Sequence, residues 1–209
     1  MATVTHRGWL NYWWLRSRLF RTIQRRLFYC KFSLATFLVL SASCSLAQHS
    51  HPTESQVESA YLYNFGKFVT WPADHPASSE VFGICVLGRD PFGTVLDSTV
   101  NGESIDGKKI AVKRISSMQQ AQPCNILFIS SSEEGHLAAI LDAAQRMSLL
   151  TVSAIRNFAQ RGGTIGLVIQ GDRIRFEVNR TAATRCHLAL SSELLKVAIR
   201  VLDKDSLGN

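Results

Sequence analysis

Ser130-Ser131-Ser132 closes an apolar run and offers hydroxyls where a nucleophile would stand. A serine there needs a strained GxSxG elbow to present its Oγ. No such frame surrounds the triplet, which reads as a strand end followed by a helix cap. Gly88-Arg89-Asp90-Pro91-Phe92-Gly93 lies between a strand-like run and a helix-like one, the position of a phosphate loop. Its spacing is neither GxGxxG nor GxxxxGKS/T, and Pro91 removes an amide that a phosphate would use. A tight turn, with room at most for a small anion, is the reading that remains. His49 and His51 sit in a polar N-terminal stretch, while His75, His136 and His187 each stand alone. No carboxylate pair has a spacing suited to acid–base work, and no CxxC marks a zinc ribbon or a redox pair. The sequence therefore predicts no catalyst, no cofactor and no metal.

The charge distribution points to export. Residues 1–47 carry seven Lys or Arg and no Asp or Glu, whereas the rest carries sixteen of each sign, so the formal +7 belongs to the leader. An apolar run, Phe32–Ala42, follows the basic segment, and Ser45-Leu46-Ala47 supplies a small-x-small cleavage pattern. Together these predict a signal peptide over 1–47 and a periplasmic protein; the run is well short of the ~20 residues that span a bilayer. Lipidation at Cys44 is the lesser alternative, because Ser41 stands where a lipoprotein signal usually has Leu. The electrically balanced remainder has no excess charge for nucleic acid.

The elements that would position any site follow from periodicity. Residues 48–54 read as a flexible segment and 55–203 as one α/β domain. Ser55 and Glu58 have capping-box spacing, and Val57, Tyr61, Phe65, Phe68 and Val69 mark a buried helical stripe that ends at Trp71-Pro72. Val81–Leu87 and Asn125–Ile129 are continuous apolar runs of central strands. Lys109–Ile115 alternates as a strand, and Ser131 with Glu134 predicts a helix cap. A helix of one or two turns is expected at Ile155–Gln160. Thr164–Ile169 and Arg173–Val178 flank Gly171-Asp172, a hairpin signal. A last helix is predicted from about Thr184 to Leu202. The expected fold is a single-domain α/β sandwich, with a mostly parallel central sheet, a C-terminal β-hairpin and a closing helix. Of the three cysteines beyond the leader (Cys85, Cys124 and Cys186), an odd count suggests one disulfide and one thiol.

The stretch Tyr61-Leu62-Tyr63-Asn64-Phe65-Gly66-Lys67-Phe68-Val69-Thr70-Trp71-Pro72 resembles the signature of the YfiR family of periplasmic regulators. Ile84–Gly88 with Asp90–Gly93, Cys124–Ser130, Leu150–Ser153, Phe158-Ala159 with Gly162-Gly163, Ile174–Asn179 and Leu190–Lys196 match it in order. The resemblance implies a small protein that binds and represses the periplasmic domain of an inner-membrane diguanylate cyclase, with an OmpA-like outer-membrane lipoprotein as antagonist. Members beside histidine kinases make a small-molecule sensor subunit the alternative, and a homodimer is a further expected assembly. An exported enzyme is a third, weaker reading. The resemblance also pairs Cys85 with Cys124, leaving Cys186 as a buried thiol, and a second family disulfide has no counterpart around Ala159–Gly166. Tyr63, Asn64 and Lys67 lie off the apolar stripe and are candidate partner-binding residues. Trp71 is either an anchor for the partner or a plug at the sheet edge.

Overall fold

The computed structural model describes residues 52–73, 75 and 80–203, so the expected signal peptide, Cys44, His49 and His51 lie outside the described residues. Helix α1 spans Glu54–Phe68 and is capped two residues earlier than Ser55 would allow. Thr53 has Gln56 three residues on, and the pair closes a reciprocal box: Thr53 N donates to Gln56 Oε1 at 2.8 Å and Gln56 N to Thr53 Oγ1 at 3.3 Å. The helix buries Ser59, Leu62, Phe65 and Gly66, a stripe rotated from the expected one. Phe68, read as core, is 39 % exposed. The cause is an early exit: Val69 is already extended, and β1 (Val69–Thr70) pairs antiparallel with β9 (Ala189–Leu190).

The remaining strands are β2 (Val81–Leu87), β3 (Ser104–Ile105), β4 (Lys108–Ile115), β5 (Ile126–Ile129), β6 (Leu150–Ser153), β7 (Ile165–Gln170), β8 (Arg173–Asn179) and β10 (Arg200–Leu202). They form one sheet in the order β10-β8-β7-β6-β5-β2-β4-β3. Five consecutive members, β4, β2, β5, β6 and β7, run parallel. The chain starts at β2, moves out to β4 and returns to the other side of β2, the doubly wound pattern with its switch point between β2 and β5.

Alternation along the central strands splits the core in two. Phe82, Ile84, Val86, Ile126 and Phe128 face α1 and α2 (Thr94–Val100), and are buried with Leu62, Phe65 and Leu96. Cys85, Leu87, Leu127 and Ile129 face α3 (Leu137–Arg146), and are buried with Ile140 and Ala144. Continuous apolar runs are what strands covered on both faces require. The expected hairpin closes at Gly171-Asp172, with Gln170 opposite Arg173 and Gly171 at φ 64°.

Three local expectations change. The cap after β5 is Ser130 rather than Ser131, and it opens a 3-10 turn, Ser131–His136, ahead of α3. Ile155–Gln160 makes turns with no helix. The long closing helix is divided into α4 (Arg180–Arg185), β9, α5 (Ser192–Val197) and β10. His187 adopts φ 56°, and Ser191 Oγ accepts the Leu194 amide at 3.2 Å as a fresh N-cap. Helical spacing of Leu188, Leu194 and Leu195 is genuine; pairing of Ala189-Leu190 with β1 overrides it.

Candidate functional site

The two loops whose residues suggested chemistry meet at the switch point, beyond the carboxyl ends of β2 and β5. Doubly wound sheets bind ligands in this crevice. Here the chain fills it with its own side chains. Ser132 Oγ accepts the Arg89 amide at 2.9 Å and donates to Glu133 Oε1 at 3.1 Å. A Cβ on Gly88, which sits at φ 88°, would lie 2.4 Å from Ser132 Oγ and 2.7 Å from Glu133 Oε1. The amide that an anion would use is thus already spent on a serine beside a carboxylate. Arg114 ties the rest of the loop, reaching Asp90 at 2.9 Å and Asp97 at 2.5 Å, and its hydrogen bond holds the Asp97 carboxyl below its ordinary range. Ser130 is spent as a cap, and the exposed His136 faces Glu133 at 3.8 Å. Among the described residues, no group of three or more His, Cys, Asp or Glu could hold a metal.

Cys85 and Cys124 form a disulfide with Cα atoms 5.8 Å apart. One lies within β2, the other just before β5, and both are fully buried in the α3-side core. The strands approach so closely here that a Cβ on Gly83 would fall 2.0 Å from the Pro123 carbonyl oxygen. Asn125 completes the junction: its amide donates to Gly83 O at 2.8 Å and its Oδ1 accepts Gly83 N at 3.0 Å. Cys186 is a free, buried thiol at the C-cap of α4, where burial pushes its pKa up to about 11.

Of the candidate partner-binding residues, three share one flank of α1. The Tyr63 hydroxyl donates to Glu103, Lys67 Nζ lies 3.8 Å over the Tyr63 ring, and Asn64 is exposed. Phe68, which periodicity assigned to the core, adds an apolar surface at the end of the same helix. Trp71 lies apart from them. Its indole N–H donates to the Asn125 carbonyl at 3.2 Å, and its ring meets Phe82 edge-on at 5.2 Å. This geometry is that of a plug at the β2–β5 junction.

A second concave feature had no signal in the sequence, because its lining comes from five separated segments. A groove of about 610 Å³ runs between the first turns of α1, the turns after β6 and the β7–β8 hairpin. Leu167 and Ile169 pair with Phe176 and Ile174, so these side chains share the face covered by α1, where Phe65 meets Phe176 at 5.0 Å. Glu177 pairs with Gly166 and Arg200 on the opposite face. There its carboxylate accepts Gln160 Nε2 at 2.7 Å and lies 3.4 Å from Arg200. Glu58 enters the groove from α1, and burial, reinforced by the nearby Glu54 charge, pushes its pKa up to about 7.

Residues 55–199 match the family model described as YfiR/HmsC-like. No curated protein matches the chain. Among solved structures, a conserved domain protein from Vibrio cholerae O1 biovar El Tor aligns at 11 % identity and a TM-score of 0.49, covering 73 % of this chain and 61 % of that one. The ABC domain in complex with L-Trp from Streptococcus pneumoniae aligns at 10 % identity and a TM-score of 0.43, covering 58 % and 55 %. The chain thus spans less than two thirds of either structure.

Proposed function

Because the chain belongs to the YfiR/HmsC-like family, we propose that it is a periplasmic regulatory protein of cyclic di-GMP signalling that binds and represses the periplasmic domain of an inner-membrane diguanylate cyclase. The family match over residues 55–199 carries this reading. Several features agree with it. The switch-point crevice is occupied by Ser132 and Glu133, as suits a binding module better than a catalyst. No described helix is long and apolar enough to cross a membrane. The balanced charge beyond residue 47 gives no broad electrostatic steering, so recognition rests on a compact patch. Tyr63, Asn64, Lys67 and Phe68 offer one: an aromatic–cation pair with an adjacent apolar ring on one helix.

A repressor holds its partner off by binding the inactive form more tightly than the active one, and a tenfold preference is about 1.4 kcal/mol. Deleting the gene raises cellular cyclic di-GMP on this reading, and a copy lacking residues 1–47, retained in the cytoplasm, fails to reverse the rise. Unchanged cyclic di-GMP with altered phosphorylation of a neighbouring histidine kinase would replace the cyclase by a kinase. The groove beside Glu58 is the feature that favours this sensor-subunit alternative.

A further inference from the structure

Strand β7 outruns one of its neighbours. β8 pairs with it from Ile165 to Gln170, whereas β6 pairs only at Ile165 and Gly166 before the chain turns away. Residues of an antiparallel ladder alternately direct N–H and C=O toward the partner strand and away from it. Leu167 and Ile169 therefore aim outward; the Ser153–Gly166 pairing takes up the Leu167 amide, and beyond it the Leu167 carbonyl and both groups of Ile169 face no other strand among the described residues. Exposed edges are ordinarily blunted by Pro, Lys, a bulge or a covering element. This one presents a half-buried Val168 and an Ile169 that is 69 % exposed, while Leu167 beside them is buried in the core.

The groove runs along that edge. Its lining includes Leu167 and Ile169 from one face of the sheet and Val168, Glu177 and Arg200 from the other, so it wraps around the strand. Polar groups without partners lie beside it. Among the described residues, the buried Gln160 Oε1 has no hydrogen-bond partner, and the exposed Arg156 guanidinium meets no carboxylate.

We propose that the free edge of β7 is a strand-addition site for an extended peptide segment of a partner protein. An added strand sends alternate side chains to opposite faces. Those on the α1 face meet Leu167, Ile169, Glu54 and Glu58, which select apolar and basic residues. Those on the opposite face meet Gln160 and the Glu177–Arg200 pair, which select hydroxyls, with Arg156 available to an acidic group. A compact ligand would engage these side chains yet leave the outward backbone groups of β7 unpaired; a strand satisfies both. The site is separate from the α1 flank and holds whichever membrane protein is the partner.

The probe is a fluorescein-labelled hexapeptide, Val-Thr-Lys-Glu-Val-Thr, titrated into the purified chain by anisotropy. Amide exchange of Leu167–Gln170 is followed in parallel. The expected result is saturable binding with slowed exchange in that segment. Affinity falls about tenfold or more when alternate peptide nitrogens are methylated, and likewise for Arg156→Glu, an exposed change that leaves the melting temperature unaltered. Equal binding of the methylated peptide overturns strand addition in favour of a pocket for compact ligands. Slow, concentration-dependent exchange of Leu167–Gln170 in the free protein overturns it in favour of a second copy on the edge. Absence of saturable binding up to millimolar peptide overturns it outright.

Discussion

Replacing Glu58 with Gln should stabilise the protein at neutral pH and leave it unchanged in acid. The Glu58 carboxyl is pushed from 4.5 up to about 7, first by burial beneath the groove and then by Glu54 one turn away. A raised carboxyl pKa means that the folded state binds the proton more tightly than the unfolded chain. Stability is therefore highest below about pH 4.5, falls as pH rises between the unfolded and folded values, and levels off above about pH 7. The full shift corresponds to about 3 kcal/mol. Glu58 is only half-buried in an open groove, so solvent screening reduces this to about 1–2 kcal/mol. Glutamine is nearly isosteric and never carries the charge. Urea unfolding of both proteins from about pH 4.5 to pH 8 should give coincident midpoints in acid that diverge progressively, with Glu58→Gln the more stable by about 1–2 kcal/mol at the alkaline end. Glu54→Gln should move the wild-type transition to lower pH without abolishing it. Parallel pH profiles for wild type and Glu58→Gln would refute the assignment, as would a variant destabilised equally at every pH.

Removing the Cys85–Cys124 bridge opens a loop with a sequence separation of 39. In the chain-entropy model the double alanine variant loses about 4 kcal/mol, read from denaturant midpoints. Gly83→Ala should cost about 1–3 kcal/mol or more by the same measurement, since the new methyl would sit 2.0 Å from Pro123 O, on backbone that the disulfide holds in place. Trp71→Ala should cost about 2–4 kcal/mol of stability, through lost packing on Phe82 and loss of the indole hydrogen bond to the Asn125 carbonyl, which keeps only its bond from the Leu150 amide. Asn64→Ala and Lys67→Ala should change stability by no more than about 0.5 kcal/mol while weakening capture of the membrane partner in pull-downs.

The central sheet was legible because its strands obey one constraint. Val81–Leu87 and Ile126–Ile129 are buried on both faces, so nearly every position had to be apolar. The hairpin was legible because Gly171 supplies the positive φ its turn requires. The C-terminal segment was not. Its helical spacing is locally correct, but pairing of Ala189-Leu190 with Val69-Thr70 is a contact between distant segments that periodicity cannot report. The same pairing displaced Phe68 from the stripe assigned to it. Of the α1 surface, Tyr63, Asn64 and Lys67 were found by exclusion from that stripe. The groove left no trace in the sequence, for it depends on β6 ending before β7 does.

The disulfide also changes what kind of chain has to fold. Gly83 and Asn125, which exchange two hydrogen bonds across a separation of 42 residues, flank the bridged cysteines. In the reduced chain that meeting is a loop closure, an entropic search to be completed before any strand contact rewards it. In the oxidised chain the ends of the search are already joined. β2 and β5 are then neighbours even when everything around them is unfolded, and the non-local pairing at the centre of the sheet becomes kinetically a local one. α2, β3 and β4 lie inside the covalent ring, while β6 and all that follows lie outside it. Oxidation therefore divides the chain into a part that refolds within a closed loop and a part that adds to its rim, and it speeds the first step most.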